Sequence, residues 1–393
     1  MKSALAIILI LSVLSGSVAS VFAQQPQLAT YRETSQLLVD EKVQNQTTAF
    51  VTLSSTSPLE MRVPTSLDEK LANTANVTSL AITNASPCVE GVYDQTCIIV
   101  TIYNPSLIES YNITAIQQGA KAAGDKIITD ANTAFLLNAS FSSIYIQPKG
   151  ELSSALGTSG ALAGNRTISV VYTAPQLKSS YLFDQLSSIL LPSQIRTAGG
   201  FYDVAKKMSE VTNSTVTFAI TPTTTNNQSL YQLQVSNHTP NRGKVTTVHP
   251  LDFFGVSQLN RSSYFNGGFF PLNSIFEVSI LSRNDSNAIT GHGGDVVPTN
   301  SQGIPTDLNK AGWVFDSISG QRITGIYLFG TGASVNNDAL SLSLGPASQA
   351  VPPPTNNTQT PTQGGSTADY SVYVIIGIVI AGGGAIYLFT RRR

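Results

Sequence analysis

Between Val372 and Phe389 the chain is almost wholly apolar, and it then ends on Arg391, Arg392 and Arg393. A helix rises about 1.5 Å per residue, so residues 371–389 would span roughly 28 Å, close to the hydrocarbon thickness of a bilayer. A cluster of arginines marks the cytoplasmic flank of such a span. The sequence thus predicts one transmembrane helix over residues 370–390 and a basic cytoplasmic tail over 391–393.

The other end agrees with this. Lys2 is followed by an apolar run from Ala4 to Leu14 and by the small-x-small pattern Val21-Phe22-Ala23, the layout of a secretory signal peptide over residues 1–23. A translocated N-terminus and a cytoplasmic C-terminus predict a single-pass protein of the cell membrane with its body extracellular. Charged residues make up only 11% of the chain, and the formal charge of −1 becomes −5 once Lys2 and the three terminal arginines are set aside. With no basic cluster left outside, nucleic acid is not an expected partner.

Two further signals fit an exported chain. Twelve N-x-Ser/Thr sequons occur, at Asn45, Asn76, Asn84, Asn112, Asn138, Asn165, Asn213, Asn227, Asn237, Asn260, Asn284 and Asn356, which predict a glycoprotein surface. The only two cysteines, Cys88 and Cys97, are expected to pair in an oxidising compartment. A bridge closing so short a loop is worth about 2.5 kcal/mol by the loop-entropy relation.

Along the body, residues 24–42 read as a polar approach segment. Runs at 47–53 and 59–63 have strand composition, and Cys97–Tyr103 is continuous enough for a strand buried on both faces. Ile113, Ile116, Ala120, Ala123, Ile127, Ala131 and Phe135 recur at spacings of three and four, the pattern of an amphipathic helix. A strand follows at 141–146, then a Gly/Ala/Ser-rich loop over 150–164, a strand at 167–172, and two amphipathic helices through Leu177–Leu190 and Phe201–Val211. Beyond Asn213 the alternation turns to period two: Val216, Phe218 and Ile220; Tyr231, Leu233 and Val235; Phe276, Val278 and Ile280; a hairpin over 313–318 and 323–329; and Leu340, Leu342 and Leu344. The expected fold class is α+β. An N-terminal α/β layer over 24–212 is followed by a mainly antiparallel, sandwich-like β part over 213–345. A Pro/Thr/Asn-rich stalk over 346–369 would then lead to the membrane helix, reaching at most roughly 75 Å when fully extended.

Residues able to carry chemistry are few. His249-Pro250-Leu251-Asp252 and His292-Gly293-Gly294-Asp295 share a His-x-x-Asp spacing; if the loops met, His249, Asp252, His292 and Asp295 would suit Zn²⁺ or Cu²⁺. That set defines the alternative to a binding protein, an anchored metal-binding protein or hydrolase. Neither a P-loop nor a Gly-x-Ser-x-Gly turn is present, and no catalytic residue is assigned. A stretch rich in aromatics and amides, with Phe253, Phe254, Tyr264, Phe265, Phe269 and Phe270, could line a sugar- or peptide-binding surface or could plug the core. Gly377, Ala381 and Ala385 form a small-x-x-x-small stripe through which two membrane helices could pair as a homodimer.

The spacer, single span and short basic tail resemble those of archaeal cell-surface glycoproteins anchored near an S-layer. The resemblance covers the ends and the composition, not the body, and a Pro-Gly-Phe sorting tripeptide is missing, so the span is expected to stay in place. No known activity and no functional residues carry over from it. The first reading of the chain is a non-enzymatic surface glycoprotein that binds cell-envelope glycan or another surface protein, with no cofactor.

Overall fold

The computed structural model describes residues 30–41, 45–55, 65–74, 76–89, 91–104, 113–146, 166–191, 196, 200–222, 229–260, 270–271, 275–281, 287–297, 311–316, 322–328 and 334–346. The expected signal peptide, the 59–63 run, the 150–164 loop, the expected stalk beyond Pro346, the expected membrane helix and the tail lie outside them. Among the described residues, no helix is long and apolar enough to cross a membrane.

The protein is mostly β, built on one large mixed sheet. Its strands are β1 (Thr30–Asp40), β2 (Gln46–Ser55), β3 (Val77–Thr83), β4 (Gln95–Asn104), β5 (Ser140–Ile146), β6 (Arg166–Pro175), β7 (Thr215–Pro222), β8 (Ser229–Pro240), β12 (Ile275–Leu281), β14 (Gly312–Asp316) and β15 (Arg322–Leu328). The spatial order is β14-β15-β12-β1-β2-β8-β7-β3-β4-β6-β5. The short β11 (Phe270–Pro271) also pairs with the start of β1. Every junction along this path is antiparallel except β1 with β12, where Thr34 to Asp40 run alongside Ile275 to Leu281. β7 and β8 sit between β2 and β3, so the change in composition at Asn213 does not interrupt the hydrogen-bonded sheet.

Four helices cover one face: α1 (Thr65–Asn73), α2 (Ile113–Phe135), α3 (Ser179–Leu190) and α4 (Phe201–Ser209). Register explains which side chains meet them. Opposed residues of paired strands share a face, and Leu37, Ala49, Val51, Leu53, Leu233, Val235, Phe218, Ile220, Leu80, Ile82, Ile98, Val100 and Val170 fall on the same one. They join the apolar stripes of the helices in one continuous core. The periodicity of α2 holds in detail, with Ala120, Ile127, Ala131 and Phe135 buried against the sheet. Burying each large side chain contributes roughly 1.5–3 kcal/mol.

Two tyrosines on this face reach up to the helices. Tyr172 of β6 donates to Asp125 of α2 at 2.8 Å, and Tyr231 of β8 donates to Asp68 of α1. α2 can approach because residue 124 is glycine: a Cβ there would lie 2.6 Å from the Tyr172 hydroxyl. Lys70 of α1 and Asp130 of α2 close the layer at 2.8 Å.

The expected strand at Cys97–Tyr103 is β4, buried on both faces. Ile98, Val100 and Ile102 enter the main core, while Cys97 and Ile99 join Cys88, Val89 and Val171 in a small cluster on the opposite face. Cys88 and Cys97 are bonded to each other, with Cα atoms 6.3 Å apart. Within the expected approach segment over 24–42, residues 30–40 depart from expectation. Instead of a polar approach they supply β1, a central strand whose apolar residues are largely confined to Leu37, Leu38 and Val39. Its pairing on both sides and the burial of Leu37 and Val39 outweigh its weak local preference.

The remaining elements form a smaller unit: β9 (Thr247–Val248), α5 (Pro250–Phe254), β10 (Gln258–Asn260), β13 (Asn287–His292), β16 (Ser334–Asn336), α6 (Asn337–Leu340) and β17 (Leu342–Pro346). β13, β17 and β9 make one small sheet, and β10 pairs with β16. The alternation predicted through Leu340, Leu342 and Leu344 is split here. Leu340 closes α6, and the other two belong to β17, all three being buried.

Candidate functional site

The face of the large sheet turned away from the helices is polar except where Cys97, Ile99 and Val171 meet Cys88 and Val89, and its polarity is ordered. Following register from strand to strand, one row runs Thr34, Thr52, Gln234, Thr217, Thr83, Cys97, Thr173 and Ser140. Neighbouring strands lie about 4.8 Å apart, so hydroxyl and amide groups recur at that interval from Thr34 to Thr83 and, past the buried, disulfide-bonded Cys97, at Thr173 and Ser140. Gln234 Nε2 donates to Thr52 Oγ1 at 3.1 Å, and the hydroxyls of Thr83 and Thr217 lie 2.9 Å apart. Toward the end of β8, Thr48 Oγ1 sits 2.9 Å from His238 Nδ1, beside a row in which Phe50 is flanked by Gln36 and Ser236.

Thr34, Thr52 and Thr83 are buried in this row, Gln234, Thr217 and Thr173 half-buried and Ser140 exposed. Burial pushes the His238 imidazole below its ordinary range, so at neutral pH it is an uncharged hydrogen-bonding group. Its half-buried and exposed members, Gln234, Thr217, Thr173, Ser140 and His238, carry uncharged groups that can donate to and accept from a neutral, multiply hydroxylated surface. These residues were missed as a site in the sequence, although the alternation that locates Val216, Phe218 and Ile220 in the core also puts Thr215 and Thr217 on the other face.

The two His-x-x-Asp loops do come close, but around a helix. His249 takes the N-cap position of α5, with Pro250 at its first turn. Leu251 N donates to Asn337 Oδ1 at 2.9 Å, and Asn337 Nδ2 donates to Asp252 Oδ1 at 2.7 Å. From the other side, Gly293 N donates to Ser341 O at 2.9 Å, and a Cβ on Gly293 would lie 1.5 Å from Asp338 O. Glycine is required there because the loop crosses the α6 backbone, not because a ligand approaches. The indole of Trp313 completes the clasp, donating to Ala339 O at 3.0 Å. His292 is half-buried with Nδ1 3.3 Å from Gly293 O, and Asp295 is exposed. Among the described residues, no three His, Cys, Asp or Glu side chains are grouped to hold a metal.

Of the aromatic candidates, Phe254 is 1% exposed and meets Phe276 edge-on with centroids 5.7 Å apart, and Phe253 packs half-buried against the same core. Phe254 is thus part of the interior, while Phe253 keeps part of its ring accessible. Tyr264, Phe265 and Phe269 lie outside the described residues, as do Gly377, Ala381 and Ala385, and of Phe270 only its place in β11 is described.

The sequons divide sharply. Asn45, Asn76, Asn138 and Asn213 are exposed at turns, each with a left-handed backbone (φ 51°, 67°, 51° and 70°), a conformation that asparagine tolerates better than most residues. Asn84 is 6% exposed, and its side chain ties three elements together. Its Nδ2 donates to Leu177 O at 3.1 Å and Ser179 Oγ at 2.9 Å, and its Oδ1 accepts from Val216 N at 2.8 Å. Asn237 is half-buried within β8, and Asn260 ends β10. Asn112, Asn165, Asn227, Asn284 and Asn356 lie outside the described residues.

Fold and face together define a mostly β protein with helices on one side of a large mixed sheet and a hydroxyl- and amide-rich surface on the other. No family model matches the chain, and no curated protein matches it in sequence.

Proposed function

We propose that this chain is an exported surface glycoprotein, held in the cell membrane by a helix over 370–390 and lifted from it by the 346–369 stalk, whose body binds envelope glycan without catalysing a reaction. The observation that carries the ligand class is the set of accessible groups Gln234, Thr217, Thr173 and Ser140 with the neutral His238 nearby. Uncharged hydroxyls and amides match a hydroxylated polymer better than they match an ionic ligand, and Phe50 adds an apolar contact of the kind sugars accept. The bonded Cys88–Cys97 pair and the four exposed sequon turns are consistent with an extracellular body.

The test is retention of purified envelope polysaccharide by detergent-solubilised, immobilised full-length protein. Thr217→Val with Gln234→Leu removes two hydrogen-bonding groups at about 0.5–1.5 kcal/mol each, so retention should weaken about tenfold. Equal retention by wild type and double variant, or none by either, refutes the assignment to this face.

A further inference from the structure

Among the described residues, Leu136 at 75% and Val211 at 42% are the exposed large aliphatic side chains. Each stands two residues before an exposed sequon asparagine with a left-handed backbone, Leu136 before Asn138 and Val211 before Asn213. The two turns are built alike. In each, a helix (α2 or α4) has just ended, and the strand that follows (β5 or β7) begins at the sequon hydroxyl, Ser140 or Thr215. At the first turn Leu137 is buried while Leu136 is turned outward at φ 52°, a conformation costly for a branched residue. Both turns lie at the same end of the large sheet, since Ser140 pairs with Thr173 near the end of β6 and Thr215 with Ser236 near the end of β8.

We propose that Asn138 and Asn213 carry N-linked glycans and that the first sugar ring of each lies over the apolar side chain two residues earlier. The inference rests on the exported-glycoprotein reading and specifies which sequons serve it and why. Two residues span at most about 7 Å of chain, within reach of a ring attached to the asparagine. One face of a pyranose presents C–H groups and can cover an aliphatic side chain, while its hydroxyls remain in water. In the attachment, Nδ2 bonds to the anomeric carbon of a glycosyl donor activated as a lipid-linked phosphate ester. The carbon–oxygen bond to phosphate breaks, the lipid phosphate leaves with the electron pair, and the amide gives up one proton. Asn84 cannot enter that reaction in the folded chain, because both hydrogens of its Nδ2 are donated inside the protein.

The experiment is site-resolved glycopeptide mass spectrometry on the full chain made in a glycosylating secretory host, followed by a thermal cycle. Modification at Asn138 and Asn213 with a bare Asn84 is expected. Leu136→Ser should lower the Tm of the glycosylated protein by about 2 °C and should cause no loss once the glycan is removed, either by Ser140→Ala or enzymatically. Asn138 and Asn213 bare in a chain that has been exported and has formed its disulfide overturns this inference alone. A chain retained inside with every sequon bare overturns the exported-glycoprotein reading with it. An equal effect of Leu136→Ser with and without the sugar overturns the covering role.

Discussion

Gly293→Ala is the substitution for which the structure sets the strongest expectation. The added methyl would sit 1.5 Å from Asp338 O and 2.7 Å from Asp338 C, backbone atoms that no side-chain rotation can move. Either the loop or α6 must shift, and a shift breaks the clasp: the bonds from Gly293 N to Ser341 O, from Leu251 N to Asn337 Oδ1 and from the Trp313 indole to Ala339 O. Net values of about 1 kcal/mol for each of the first two bonds, with about 1–3 kcal/mol for a buried indole N–H left unpaired, give about 3–5 kcal/mol in all. At a urea slope near 3 kcal/mol/M this lowers the unfolding midpoint by about 1–1.7 M. The assay is intrinsic fluorescence, since Trp313 is the only tryptophan and lies in the clasp, so its emission should change before unfolding as well as during it. The control is Gly119→Ala on the exposed side of α2, where a Cβ meets nothing within 4 Å; helix propensity there predicts a gain of up to about 1 kcal/mol. A Gly293→Ala protein with wild-type midpoint and emission would show that the crossing of loop and helix is wrong.

Two titrations should also be visible. Burial, reinforced by bonding to Asp68, raises the ionisation of Tyr231 far above its ordinary value, so the folded state favours the neutral phenol. The stability from this group is fully present below about pH 10 and is lost as pH rises toward the folded value; Tyr231→Phe should flatten the alkaline limb of stability against pH, and an unchanged limb counts against the pair. Burial lowers the pKa of His238, so its contribution is present above about pH 6.5 and lost as pH falls through the folded value. Chemical denaturation between pH 7 and 5 should show a decline that His238→Gln reduces.

Much of the secondary structure was legible in the sequence because burial on one face leaves a period. Ala120, Ile127 and Phe135 mark α2, and Phe276, Val278 and Ile280 mark β12. β1 was not legible: its back-face residues Thr34, Gln36 and Asp40 are polar, and its place is decided by β12, more than two hundred residues away. Strand order is likewise a long-range property, which is why β7 and β8 could be recognised as strands but not placed between β2 and β3. The shared spacing of the His249 and His292 loops could not show what lies between them. What they share is α6, held by Asn337 on one side and crossed at Gly293 on the other.

The parallel seam between β1 and β12 also sets a timetable for folding. The ribosome delivers β1 and β2 early, and they can form a hairpin at once, but the second partner of β1 is complete only at Leu281. Until then one backbone edge near the middle of the future sheet stays open, a template for pairing with another chain. Such long-range closure makes for slow folding. A fragment stopping at Pro240 would hold all the strands from β2 to β8 and still leave that edge bare, so a nascent chain released there is a hazard for aggregation, not a smaller working protein.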